Sequence, residues 1–345
     1  MKKVTIQDVA KELNLSRNTV AKALNNSDTV AYETRYVVIK KAYEMGYSKL
    51  SPVVLSEFKI KDRMDKVKTI VVLARRELST FWNRIIMGIS DELNKNNCKL
   101  QFNFISEEDE HEHALPLDIL SDVSGIIMLS VFSKDYIDII MRKDIPVVFL
   151  DAPCDTEIAS KYGDVVIFEG LNSVKRITKH LIDQKMERIA FIGDISYCRT
   201  ILERYNGYRT ALRESSIDPD QELLIVKHVP NRYYRRDEIE HALDKLTSMP
   251  EAIVCANDDI ARDVILTLKS KGYNIPKDVA VTGFDNKEET SFIDPSLTTV
   301  QIANQRMGRK LVQQLMWRIE NLDMPHEVLF ITTEVLIRES SRKVK

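Results

Sequence analysis

Glycine and proline are scarce in this chain, ten of each in 345 residues, and neither gathers into a run. That excludes low-complexity and repeat-type linkers over most of its length. No apolar stretch reaches the roughly 18 residues that a bilayer span requires, so no transmembrane helix is expected. The first residues lack the apolar core of a secretory leader, which points to a cytoplasmic protein. Cysteine is sparse too: Cys98, Cys154, Cys198 and Cys255 lie far apart with no CxxC pair. Metal or disulfide frameworks are therefore not expected, and reduced, mostly buried thiols are. There is also no GxGxxG after the first apolar run, no P-loop and no HExxH, which removes the usual signatures of a nucleotide-dependent or zinc enzyme.

What the chain does have begins at its N-terminus. Thr5 can cap a first helix, with Asp8 three residues on in capping-box position. Ile6, Val9, Ala10 and Leu13 then recur at helical spacing. Asn14 ends that helix and Ser16 caps a second, whose inward stripe is Val20, Ala23 and Leu24. Its outward face offers Arg17, Asn18 and Lys22, flanked by Ser16, Thr19 and Asn25. Such a helix fits the major groove, where arginine or lysine pairs with guanine and asparagine with adenine. A small helical hairpin with a merely solvated polar face is the plainer alternative. The short corner and the small Ala10 at the crossing favour a helix-turn-helix.

Charge agrees. Residues 1–50 hold nine basic and five acidic side chains, a net of +4, whereas the whole chain carries −2 and the remainder therefore −6. A basic head on an acidic body suits a DNA anchor joined to a sensor. A third helical pattern runs from Val30 to Gly46 and would complete a three-helix head over residues 1–47. Residues 48–66, with Pro52 and several charges, read as a linker. The remainder, 67–345, is long enough for further domains, and 44% hydrophobic with 30% charged residues is a globular composition.

After Lys66 short apolar runs alternate with helical segments. The runs are Thr69–Ala74, Lys99–Ile105, Gly125–Ser130, Pro146–Leu150, Asp164–Phe168, Arg188–Gly193, Leu223–Val229, Glu251–Ala256 and Val279–Phe284. Continuous apolar strands between amphipathic helices mean parallel sheets covered on both faces. The expected class is α/β, with a helix-turn-helix head and a core of two doubly wound lobes. Ligands of such sheets bind beyond the carboxyl ends of the strands. Ser79, Phe81, Trp82, Asp151, Asn257, Asp258 and Asp285 occupy those positions. Carboxylates, amides and an aromatic face suit a neutral polyhydroxyl ligand, although any Asp or Asn there can equally cap the next helix.

These motifs together resemble the LacI/GalR family of bacterial transcription regulators. The likeness rests on Val4–Ala10, Leu15–Asn25, Glu33-Thr-Arg and Met45-Gly-Tyr in the head. In the body it rests on Arg188–Gly193, Arg204-Tyr-Asn-Gly-Tyr, Ala256–Ala261, Val279–Asp285, Asp294–Val300 and Leu336–Ser341. The resemblance implies a hinge and a core like a periplasmic sugar-binding protein, working without cofactor or metal as a homodimer on a near-palindromic operator. It implies base contacts from Arg17, Asn18 and Lys22 and phosphate contacts from Thr5, Ser16, Thr19 and Asn25. Arg204 falls where the family grips its effector, with Asn257, Asp258 and Asp285 in matching motifs. The lobes are expected at 67–161 plus 287–322 and 162–286 plus 323–345. The effector would be a sugar or sugar derivative, and the protein a repressor of a carbohydrate-utilisation operon.

Four departures stand out. The hinge lacks the family's Pro-Asn cap and spaced leucine, leaving Leu55 as the nearest minor-groove candidate. Ala31 replaces a serine cap, and Ala21 a possible phosphate ligand. Ser79-Thr-Phe-Trp replaces the family's Asn-Pro-Phe-aromatic sequence. Two other readings share the body: a metabolic enzyme on doubly wound domains, and a sugar-binding protein with no role on DNA. His111 and His113 lie in an acidic run expected to be a solvated loop, and His180 on a helix face reads as a packed histidine.

Overall fold

The computed structural model describes residues 4–27, 29–51, 54, 67–75, 80–114, 122–129, 131–154, 161–227 and 234–342. It divides into two compact units, Met1–Val67 and Lys68–Lys345.

The first unit holds helices α1 (Ile6–Glu12), α2 (Arg17–Leu24) and α3 (Tyr32–Glu44). Thr5 and Asp8 form the full capping box, and Ser16 accepts from the Thr19 N–H. Each helix ends the same way. Asn14, Asn26 and Gly46 take positive φ, and the residue after each donates to the carbonyl five residues back, as in Leu15 N–H to the Ala10 carbonyl. These are Schellman ends, which need residues tolerant of left-handed backbone. Ala31 caps α3 without any side-chain hydrogen bond, a deficit of about 1 kcal/mol against serine. Val9, Ala10, Val20, Ala23, Val38 and Ala42 form the common core. Leu50 and Val54 pack with Ile39, Tyr36 and Tyr43 of α3, so this unit extends beyond the boundary expected at residue 47. Leu55 lies outside the described residues.

The second unit contains two parallel sheets. The larger has the order β11-β5-β4-β3-β1-β2, built from β1 (Thr69–Arg75), β2 (Lys99–Ile105), β3 (Val123–Met128), β4 (Val147–Leu150), β5 (Asp164–Phe168) and β11 (Val328–Ile331). Its inner strands β1, β3, β4 and β5 bury both faces. Ile70, Val72, Ile127, Val148 and Val166 point to one side, and Val71, Leu73, Ile126, Met128, Val147 and Val165 to the other. This explains why they read as unbroken apolar runs. Helix α4 (Thr80–Lys95) is amphipathic and packs on the first face; helix α5 is Glu107–His111, and α6 (Lys134–Met141) covers the second face with Tyr136, Ile137 and Ile140.

The smaller sheet has the order β7-β6-β8-β9, from β6 (Ile189–Ile192), β7 (Leu224–Ile225), β8 (Ala252–Cys255) and β9 (Ala280–Thr282). Around it lie α7 (Leu171–Asp183), α8 (Arg199–Glu214), α9 (Arg236–Asp244) and α10 (Asp258–Ser270). Strands β10 (Thr299–Gln301) and β12 (Glu334–Leu336) pair antiparallel, and bridges Thr282–Thr298 and Asp285–Gln301 place β10 beside β9.

The expected lobe boundaries need correction. Strands β5 and β11 hydrogen-bond into the larger sheet, although both were expected in the second lobe. Strand β10 joins the smaller sheet, although it was expected in the first. Asp164 is the reason for the first correction: its buried carboxylate takes two bonds from Arg318 of α11 (Asn304–Glu320) and one from the Glu327 N–H, locking β5 to α11 and β11. The acidic run after β2 is also not a loop. Ser106 and Asp109 form a capping box that starts α5, and Glu110 turns in to pair with Arg75.

Cys98, Cys198 and Cys255 are buried, and burial raises the pKa of all four thiols, that of Cys154 to about 11. Among the described residues no helix is long and apolar enough to cross a membrane, and no group of side chains is arranged to hold a metal.

Helices α4 and α11 cross closely because glycines meet at the crossing. A β-carbon on Gly88 would fall on the Gln305 carbonyl, and one on Gly308 on the Ile85 carbonyl. Backbone cannot retreat there without separating the two helices. Gly88→Ala is therefore expected to lower stability by about 1–3 kcal/mol, read as a lower urea midpoint with an unchanged slope. An unchanged midpoint would show that the crossing is slack.

Candidate functional site

On α2 the buried residues are Val20 and Ala23. At 100° per residue, Arg17, Asn18, Ala21, Lys22 and Asn25 fall within an arc of about 140° on the opposite side. Arg17, Asn18, Lys22 and Asn25 are exposed. Three side chains of base-reading type thus stand on one face of a capped helix, in the geometry a recognition helix needs.

The hydroxyls expected to meet phosphates are partly engaged already. Thr5 gives its one proton to Asp8 Oδ2 at 2.7 Å, so it has none left for a phosphate while the capping box stands. Ser16 Oγ and Thr19 Oγ1 lie 2.8 Å apart and share one proton, leaving one of their two to donate outward.

The second group of residues gathers where the carboxyl ends of the two sheets meet. In the smaller sheet the strand order reverses between β6 and β8, which is where doubly wound sheets hold ligands. Arg204, on α8, reaches this point and is 7% exposed. Its Nη1 donates to the Ala256 carbonyl just beyond β8 at 2.6 Å, and its Nη2 lies 3.4 Å from Asp285 Oδ1. The guanidinium stacks 3.6 Å from the Phe284 ring centroid. Its Nε is buried without a hydrogen-bond partner among the described residues. Asp285 takes φ +114, a conformation costly for any residue with a β-carbon, and burial raises its carboxyl pKa although Arg204 and Lys287 pull the other way.

The other expected contacts are committed to the protein. Asn257 caps α10, its Oδ1 accepting from the Ile260 N–H at 2.9 Å. Asp258 is wholly buried. Its oxygens accept from the Thr299 hydroxyl at 2.6 Å and the Lys287 N–H at 2.9 Å, and lie 3.1 Å from the Thr290 hydroxyl. Burial first, then the Asp285 charge, pushes its carboxyl up to about 7. It is an internal anchor with no surface to offer a ligand. Asp151 follows β4 at φ +67 and reaches across to the other lobe, where it accepts from the Thr200 N–H at 3.2 Å and from the Thr200 hydroxyl. It caps a helix, though of the opposite lobe rather than its own.

Phe81 and Trp82 begin α4, half-buried and edge-on at 4.9 Å. Ser79 lies outside the described residues. Sequence reasoning missed Lys287, whose ammonium pairs with Asp259 and lies 5.9 Å from the Phe81 centroid, and the Arg84–Glu288 pair beside it. Charged residues just after the Gly-Phe-Asp run were the available signal. It also missed Arg75, a buried cation ending the first strand, which pairs with Glu110.

A helix-turn-helix head and a doubly wound two-lobed core with a polar lobe junction define a DNA-binding regulator of the ligand-responsive type. Residues 5–49 match the model of bacterial regulatory proteins of the lacI family, and residues 178–341 match the periplasmic binding protein-like domain. The chain is 26% identical over 345 residues to the HTH-type transcriptional repressor PurR of Mannheimia succiniciproducens, covering 99% of both. It superposes on the transcriptional regulator CelR–cellobiose complex with a TM-score of 0.70 at 22% identity, covering 98% of this chain and 100% of that one. The lac repressor dimer bound to operator and the anti-inducer ONPF gives 0.68 at 19% identity, covering 99% of each. The chain belongs to the LacI family of bacterial regulatory proteins. It is a DNA-binding transcriptional regulator and not an enzyme.

Because Arg204 neutralises a buried carboxylate, removing it alone strands that charge. Arg204→Leu is expected to cost about 3–5 kcal/mol in urea unfolding, and adding Asp285→Asn should recover most of the loss. Additive losses in the double variant would show that the two residues are not paired in solution.

Proposed function

We propose that the protein represses carbohydrate-utilisation genes in the cytoplasm, as a homodimer on a near-palindromic operator, in response to a small hydroxyl-rich effector bound between the two lobes. The carrying observation is the Nε of Arg204, a buried charged donor with no hydrogen-bond partner among the described residues, at the strand-order reversal of the smaller sheet. Buried donors rarely stay unpaired, and a ligand hydroxyl oxygen would satisfy this one. Asp285 Oδ2 would accept a hydroxyl proton from the same molecule. Phe81 or Trp82 would lie against its C–H face, with Ser79 a further expected contact. With Asn257, Asp258 and Asp151 held by protein donors, this is a shorter set of contacts than the sequence suggested.

On DNA, Arg17, Asn18 and Lys22 would read bases, while Ser16, Thr19 and Asn25 would hold phosphates. Thr5 would need to exchange its bond to Asp8 to join them. Against an operator selected from random duplexes, Arg17→Ala and Asn18→Ala should each cost about 1–3 kcal/mol and relax preference at one base pair. Thr19→Ala should weaken all sequences alike, since phosphate contacts position without specifying. Equal losses on selected and random DNA for all three variants would remove base reading from α2.

The effector class is tested by a thermal-shift panel of sugars, sugar phosphates, nucleosides and purines on the intact protein and on Arg204→Lys, which keeps the charge but loses Nε. A sugar should raise the midpoint of the first and leave the second unmoved. A response to purines or nucleosides alone would overturn the sugar reading, and an equal response of both proteins would misplace the site.

A further inference from the structure

The helix that carries Arg17, Asn18 and Lys22 is held differently at its two ends. Its start follows a tight corner, where the Leu15 N–H returns to the Ala10 carbonyl and Ser16 caps the first turn. Towards its end the buried side chain is Ala23, which gives little apolar grip. Beyond it the chain turns into α3, which starts at Ala31 with no side-chain cap. Arg35 spans that turn. From the beginning of α3 its Nη1 donates back to Asn26, to the carbonyl at 3.2 Å and to the side-chain Oδ1 at 3.0 Å. We propose, on the reading of α2 as the base-contacting helix, that Arg35 and Asn26 form a clamp that fixes the end of α2. Arg35 is then a positioning residue for sequence-specific DNA binding.

The identity of residue 26 supports the clamp. Asn26 has φ +52, a left-handed conformation in which glycine is the least strained residue. The end of α3 does use glycine: Gly46 stands in the same place, followed by the same returning bond. At the end of α2 the Asn26 N–H returns to the Ala23 carbonyl and the Ser27 N–H to the Lys22 carbonyl, both at 3.0 Å. Those are backbone bonds, and glycine would make them equally well. What glycine would lack is Oδ1. Asparagine gives up backbone ease for one acceptor, and that acceptor meets Arg35. The two hydrogens of Nη1 serve both Asn26 oxygens, one each.

A base contact needs its donors placed to within about 0.5 Å and about 10–20°. Attraction between a basic head and phosphates survives larger errors, because it depends on charge rather than on aim. Lys22 stands in the last turn of α2 and Asn25 at its end. A tilt about the Ser16 corner therefore displaces these two most, while Arg17 and Asn18, beside the corner, move least. Losing the clamp lowers discrimination between sequences more than it lowers affinity for DNA as such. The loss is largest at the base pair that Lys22 meets.

The quantity to measure is the ratio of the full chain's affinities for a selected operator and for random duplex, at one salt concentration. Arg17→Ala tests the reading helix itself and should lower that ratio. Asn26→Gly should lower it by about tenfold, the scale of one base contact. Hydrogen exchange should show its α2 amides as well protected as in the parent, because glycine suits the left-handed backbone. Asn26→Asp keeps Oδ1 and should hold the ratio near that of the parent, since its added charge weakens both duplexes alike. Arg35→Lys keeps the charge but replaces the fork with a single ammonium, and should lower the ratio as Asn26→Gly does. An unmoved ratio in Asn26→Gly beside a lowered one in Arg17→Ala overturns the clamp and leaves the reading helix standing. So does a ratio that falls as far in Asn26→Asp, or one that falls together with α2 protection, which would make Asn26 structural only. Equal losses on both DNAs in Arg35→Lys would make Arg35 a phosphate contact and overturn it too. An unmoved ratio in Arg17→Ala removes base reading from α2, and the clamp with it.

Discussion

The Arg204 guanidinium, buried at the carboxyl edge of the smaller sheet, is what that end of the sheet is built around. It ties three separate parts of the chain: its own helix, the turn after β8 through the Ala256 carbonyl, and the loop after β9 through Asp285 and Phe284. A charge taken out of water costs several kcal/mol unless every donor finds an acceptor. The chain answers that demand with a carbonyl, a carboxylate and an aromatic face, and among the described residues leaves Nε without an acceptor. The backbone bears some of the cost, since Asp285 is held in a conformation that no residue with a β-carbon prefers. A site strained and incompletely satisfied before any ligand arrives has something to gain when one does.

The two lobes touch through the loops that also form the proposed effector site. Asp151 of one caps a helix of the other, the Arg199 N–H donates to the Ala152 carbonyl at 2.9 Å, and Glu288 meets Arg84. Any molecule entering between Arg204 and Phe81 must therefore compete with, or add to, contacts that set the lobe arrangement. A ligand shifts a conformational equilibrium only by its difference in affinity for the two states. Having the proposed effector contacts and the lobe-to-lobe contacts on the same loops would let few residues create that difference.

Much of the architecture was readable because parallel strands buried on both faces leave an unmistakable pattern. Asp164–Phe168 and Lys99–Ile105 have the same bounds in sequence and structure. Which sheet a strand joins is not written in its own residues. Strands β5 and β11 look alike whichever lobe they enter, and only the Asp164–Arg318 lock, formed across more than a hundred residues, assigns them. The site shows the same limit. An Asp or Asn after a strand has the same local signature as cap, anchor or ligand contact. Asn257 is a cap, Asp258 an anchor and Asp285 a partner of Arg204 because of what surrounds each, and burial is a property of the assembled fold. The Arg75–Glu110 pair was hidden for that reason as well, its acid concealed in a run that reads as solvated surface.

The head follows a different logic from the body. Its shared core of valine and alanine buries little apolar area, and small domains have little to spare. Caps then carry a larger share of its stability than they would in the second unit. Thr5 and Ser16 supply two of those caps, and they are also among the hydroxyls that stand where phosphates would come. Under the proposed DNA contacts, a substitution at either position would change folding and DNA contact together. Arg17, Asn18 and Lys22 have no such double duty: they are exposed on the face away from the core and take no part in capping. That separation would let the proposed reading face of α2 change its sequence preference without loosening the helix that presents it.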